Sequence, residues 1–206
     1  MMLPTVVSTG RAAAAAGVLM AAGTQGEWLL NPQRDDGTVT NAPAFVLLLT
    51  TSTLGFALLT VAVRGLRRES VRRTRPARTG AVLSMVGAGL LTVFGVVALV
   101  TGVIFEAPHE LSFLPFALGM LLLSIGHIMW GLALRRHSPA PGVWQMLALA
   151  GTAALAAIAV PADPWHDVAL VLMCATWSVT GVLLLRHTST AGFPAETPAM
   201  HRHHQP

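Results

Sequence analysis

The chain has 206 residues, 53% hydrophobic and 11% charged, with a formal net charge of +4 and a mean hydropathy of +0.63. A water-soluble domain carries about 25% charged residues, so this composition excludes an ordinary soluble globule and calls for a bilayer. The positive balance does not point to nucleic acid: lysine is absent, seven of the 13 arginines lie within 64–80, and no aromatic residue is interleaved with them.

A helix needs about 20 apolar residues to cross the hydrocarbon layer. The first candidate is 12–30, interrupted by Gly17, Gly23, Gln25, Gly26 and Glu27. It reads either as a retained span or as a secretory signal after Arg11. The retained helix is preferred, because the cleavage pattern is poor and Trp28-Leu29-Leu30 extends the apolar run. Five stronger runs follow at 44–63, 81–105, 111–134, 143–160 and 168–185. The expected fold is therefore all-α, a polytopic membrane bundle of six transmembrane helices over 1–187. Residues 188–206, rich in Pro, Thr and His, read as a disordered tail.

The connections alternate in charge. The loop at 64–80 carries seven arginines against Glu69, and 135–142 carries Arg135 and Arg136. The loop at 106–110 carries Glu106 and Glu110, and 161–167 carries Asp163 and Asp167. Arginine-rich loops resist translocation, which places both termini in the cytoplasm. The 64–80 segment is also suited to anionic lipid headgroups, at about 1 kcal/mol per arginine near the surface.

Two hairpins look alike. RRTRPARTGAVLSM at 72–85 resembles RRHSPAPGVWQM at 135–146, and GLALRRHS at 131–138 resembles GVLLLRHTS at 181–189. Spans three and four thus read as a duplicate of spans five and six, although topology alone also imposes arginine on one side and acid on the other. Small residues at helical spacing, Ala12/Ala16, Ser84/Ala88, Ala150/Ala154 and Ala153/Ala157, mark packing faces, as do Gly95/Gly102 and Gly119/Gly126. Cys174, the single cysteine, reads as a small packing residue.

Three features carry chemistry. The outer loops repeat acid-x-x-His-acid as Glu106/His109/Glu110 and Asp163/His166/Asp167. On a helix each triplet shares a face, and together they suit a divalent metal such as Zn²⁺. Helix starts explain the acids and prolines equally, with Asp163 as cap, Pro164 first in the helix and Asp167 in its first turn. That second reading is preferred. His127 lies inside the fourth span, where an ionisable group is costly. It is expected to be neutral and bonded to a hydroxyl such as Ser124 or Thr176. No other histidine lies inside a span, which argues against a bis-histidine haem, and without lysine no retinal Schiff base forms. Glu27, at the outer end of the first span, joins Glu106, Glu110, Asp163 and Asp167 as a candidate catalytic acid. Trp130, Trp144, Trp165 and Trp177 read as anchors or packing.

This Ala-, Arg- and Gly-rich, lysine-free style resembles small multi-pass integral membrane proteins of high-GC actinobacteria, which implies a bacterial inner membrane. In format the chain looks like the substrate-binding subunits of vitamin and metal-ion importers. In size and span content it is similar to membrane terpene cyclases, which need a buried acid. Three functional readings follow. The first is a transport-related or partner-binding subunit with an outward acid/His site and a membrane-protein partner. The others are a structural or regulatory membrane protein without a small-molecule site, and an acid-initiated enzyme on a lipid or isoprenoid. The topology has a direct test. A cysteine replacing Arg72 is expected to be silent to an impermeant maleimide in whole cells and reactive in inverted vesicles.

Overall fold

Lipid offers no water to backbone amides, so a spanning segment closes its own hydrogen bonds as a helix. The computed structural model describes residues 3–30, 40–70, 74–102, 110–135, 141–160 and 165–191. Six helices make up nearly all of this: α1 (Leu3–Leu30), α2 (Ala42–Ser70), α3 (Arg75–Val100), α4 (Glu110–Leu134), α5 (Pro141–Ala159) and α6 (Trp165–Ala191). Each is long and apolar enough to cross a membrane, and no strand occurs among the described residues. The expected all-α six-span bundle is the observed one.

The helices outrun their apolar segments for local reasons. Asn41 opens α2, its Oδ1 accepting from the Ala44 N–H at 3.2 Å. Thr74 opens α3, its hydroxyl oxygen accepting from the Ala77 N–H at 3.3 Å, with proline in the first turn. Side-chain capping satisfies amides that have no partner within the helix. At the other end of α2 the helix continues through Arg64, Arg67 and Arg68, because arginine is a good helix former and favourable at a C-terminus. Hydropathy ends there; helix does not. Likewise α6 runs to Ala191, and 192–206 lie outside the described residues.

Every helix packs against its neighbours in sequence, and α6 packs against α1. The result is a closed ring of six antiparallel helices. Outward faces carry large aliphatics at seven-residue intervals: Leu47, Leu54 and Val61 on α2, and Leu118, Ile125 and Leu132 on α4, all exposed. Small residues line the inner seams. All the small-residue pairs read from the sequence are buried. This inside-out distribution, with bulky aliphatics outside and Gly, Ala and Ser between helices, is the arrangement a lipid solvent selects.

The α3–α4 seam is a close one. A Cβ on Gly87 would lie 2.5 Å from the Leu123 nitrogen and 2.6 Å from the Gly119 oxygen. One on Gly126 would lie 2.5 Å from the Ser84 nitrogen. The α5–α6 seam is built differently, since Gly142 meets nothing closer than Leu183 Cδ1 at 3.6 Å. The two hairpins that look alike in sequence are therefore not packed alike.

Because the ring is antiparallel, every described arginine lies at one of its ends, from Arg11 near the start of α1 to Arg186 near the end of α6. Glu27, Glu110 and Asp167 lie at the other end, with Glu69 the exception.

The seams predict opposite outcomes for two nearby glycines on different faces of α3. Gly87→Val should cost about 3 kcal/mol through overpacking against backbone and deplete folded protein in detergent. Gly89 has nothing within 4 Å of an added Cβ, so Gly89→Ala should gain up to about 1 kcal/mol of helix propensity. Thermal unfolding of both variants in one detergent checks this.

Candidate functional site

The interior chemistry starts on α4. Ser124, His127, Trp130 and Gly131 are spaced so that they fall on one face of the helix, and all four are buried. That face meets α5 at two glycines. A Cβ on Gly151 would lie 2.6 Å from the Ser124 oxygen and 2.8 Å from His127 Cβ, and one on Gly131 would lie 2.5 Å from the Trp144 oxygen. Close approach at these points seals the imidazole inside the bundle, where His127 is 1% exposed. Eight residues separate it from Arg135, a depth of about 12 Å from the arginine end.

His127 Nδ1 lies 2.6 Å from the Leu123 carbonyl oxygen, one turn earlier on its own helix. A carbonyl only accepts, so Nδ1 carries the proton and donates. Nε2 is then the lone-pair nitrogen, and it has no partner. The hydroxyl bond expected for this ring is not formed. Ser124 Oγ donates to the Met120 oxygen at 2.6 Å, and Thr176 Oγ1 donates to the Met173 oxygen at 2.7 Å. Each polar side chain has taken the carbonyl its own helix offers, a bond that requires no placement by a second helix.

One aromatic ring touches the imidazole, and two more pair elsewhere in the interior. Trp177 of α6 meets it edge-on, with centroids 5.1 Å apart and planes at 90°. Trp130 and Trp144 pack together with centroids 5.8 Å apart. All three tryptophans are buried, whereas Trp165 is 65% exposed at a helix end, as an interfacial anchor would be.

Among the described residues, four buried side-chain polar atoms lack a hydrogen-bond partner: Ser84 Oγ, His127 Nε2, Trp144 Nε1 and Trp177 Nε1. All four belong to α3–α6. The three nitrogens belong to one sector, formed by α4, α5 and α6. Each unsatisfied buried group costs about 1–3 kcal/mol, so each calls for an explanation. The set offers one acceptor at His127 and two donors at the indoles. Among the described residues every carboxylate falls near a helix end, away from this depth.

The loop triplets are placed only in part. Glu106, His109 and Asp163 lie outside the described residues, as do the side chains of Glu27 and Glu110. No group of three metal-ligating side chains occurs among the residues described. His166 is described, and its Nδ1 lies 2.7 Å from the Ala157 oxygen. That carbonyl is in the last turn of α5, where no amide of its own helix reaches it. His166 therefore ties the start of α6 to the end of α5. Asp167 sits in the first turn of α6, where the helix dipole favours a carboxylate.

Nothing in the sequence links His127 with Trp177; only the packing of the ring brings these two side chains into contact. No protein-family model, characterised protein or solved structure matches this chain.

If His166 serves as a clasp, His166→Ala should lower stability by about 1 kcal/mol, equally with and without Zn²⁺. A Zn²⁺-dependent rise in the Tm of the parent protein, lost in the variant, would instead assign the outer loops to a metal.

Proposed function

We propose that this integral membrane protein is a ligand-holding subunit, transport-related or partner-binding, that keeps a neutral guest group in the α4–α5–α6 sector of its ring. The observation that carries the reading is the unpaired trio of His127 Nε2, Trp144 Nε1 and Trp177 Nε1. A merely structural bundle gains nothing from three unsatisfied nitrogens in its interior, and a guest that pairs them recovers the cost. On this reading the working site lies within the ring; the sequence alone had drawn attention to the outer loops.

The inner membrane of a bacterium, with both termini cytoplasmic, is the setting that goes with it. The gathering of described arginines at one end of the ring supports that orientation. In the same orientation the 64–80 segment faces anionic headgroups. The acid-initiated enzyme finds less support, because the described candidates Glu27, Glu110 and Asp167 belong to helix ends and no described carboxylate lies at the depth of His127.

The test is His127→Leu, which keeps the volume and removes the lone pair. Replacing an unsatisfied buried group by an apolar one is neutral or stabilising, so Tm in detergent should hold or rise. A small molecule that co-purifies with the parent protein in native mass spectrometry should disappear from the variant. A variant that unfolds would show His127 to be a packing residue and overturn the proposal.

A further inference from the structure

Resting on the binding role proposed above, the geometry points to the class of guest: we infer that the α4–α5–α6 sector takes a lipid-soluble molecule through a neutral hydroxyl, whose proton goes to His127 Nε2 and whose oxygen accepts from an indole N–H. Three observations select this chemistry. First, the Leu123 carbonyl fixes the proton on Nδ1, so Nε2 presents a lone pair and needs a donor. A ketone, ether or ester has no such proton and would leave Nε2 unpaired. Second, the Trp177 ring touches the imidazole and its unpaired indole nitrogen can only donate, so a guest that pairs both must also accept. A hydroxyl does both. Third, the sector lies about 12 Å inside the arginine end, with no charged side chain of α4, α5 or α6 at that depth. A phosphate or carboxylate would be buried there without a counter-charge, at a cost of several kcal/mol.

Aliphatic alcohols and phenols share this chemistry, and paired probes separate them. The full chain in lipid nanodiscs would be titrated with 1-dodecanol and dodecyl methyl ether, and with 4-dodecylphenol and 4-dodecylanisole, following Tm and tryptophan emission. Trp177, in contact with His127, makes emission a local reporter. At about ten times Kd, a hydroxyl probe is expected to raise Tm by about 3–6 °C. Its ether should bind about tenfold more weakly, the loss of one hydrogen bond. In His127→Leu the alcohol and its ether should become equal, while His127→Gln, which offers a carbonyl acceptor, should restore part of the preference. A preference confined to one pair identifies the guest as alcohol or phenol. Equal binding of hydroxyl and ether to the parent protein would overturn the inference, as would a preference that survives in His127→Leu. If the co-purifying molecule carries no O–H group, the guest class fails and the binding role stands. If nothing co-purifies and no probe binds, both fail.

Discussion

A bilayer gives apolar side chains no reason to leave it, so these six helices cohere where backbone can touch backbone. That constraint reaches every part of the molecule. The α3–α4 seam closes because Gly87 and Gly126 leave room for the Leu123 and Ser84 nitrogens. The α1–α6 seam, which completes the ring, closes because Gly181 admits the Gly10 oxygen, where a Cβ would sit at 2.5 Å. Hydrophobic burial, the main force that folds proteins in water, contributes little here, since an exposed Leu54 or Val93 is as well solvated by lipid as by protein. Shape at the seams replaces it.

The same constraint shapes the candidate site. Close seams leave little volume between neighbours, so bulky side chains fill the interior that the ring encircles. Trp130, Trp177, Leu91, Leu123 and His127 are among the largest of those fully buried. Imidazole and indole share that space with aliphatics, and their polar atoms cannot swing out to water. Ser124, Thr176 and Thr180 settle their hydroxyl protons on carbonyls of their own helices. His127 does so with one nitrogen. The second nitrogen of the imidazole and the single nitrogens of Trp144 and Trp177 have no equivalent local outlet, because no carbonyl of their own turn reaches them. A short hydroxyl side chain can be self-sufficient in a membrane helix; a ring with its polar atom at the far edge cannot.

Much of the fold was legible because lipid imposes simple rules. The run at 44–63 announced a span, and Arg64, Arg67 and Arg68 announced its end. The pair Gly119/Gly126 announced a packing face that proved to be the α3–α4 seam. Helix limits were less legible, since α2 continues through arginines that end the hydropathy signal but not the hydrogen bonding. The site was least legible. His127 stood out as an ionisable residue within a span, yet its partner could not be read: the Leu123 carbonyl is a backbone group that every sequence supplies. Trp144 and Trp177 carried no mark distinguishing them from Trp165, because burial in a ring depends on which helices become neighbours. The outer triplets drew attention for the opposite reason. Acid-x-x-His-acid is conspicuous in print, and His166 turns out to hold a helix end, a task that leaves the same trace in sequence as a ligand does.

Whether the unpaired nitrogens reflect use or imperfect packing turns on where they lie. Packing faults left by weak selection would scatter over the bundle and favour its loosely packed edges. Here α1 and α2 contain Thr9, Thr53 and Thr60, yet among the described residues no buried polar side-chain atom of these two helices is unpaired. All the unpaired atoms fall on α3–α6, and three belong to the sector where Gly131 and Gly151 draw α5 close to α4. The α4–α5 seam is close at these two glycines, and the polar atoms beside it are unpaired. A leucine at 127 fits the same volume without the desolvation cost, so packing alone gives no reason for an idle lone pair there.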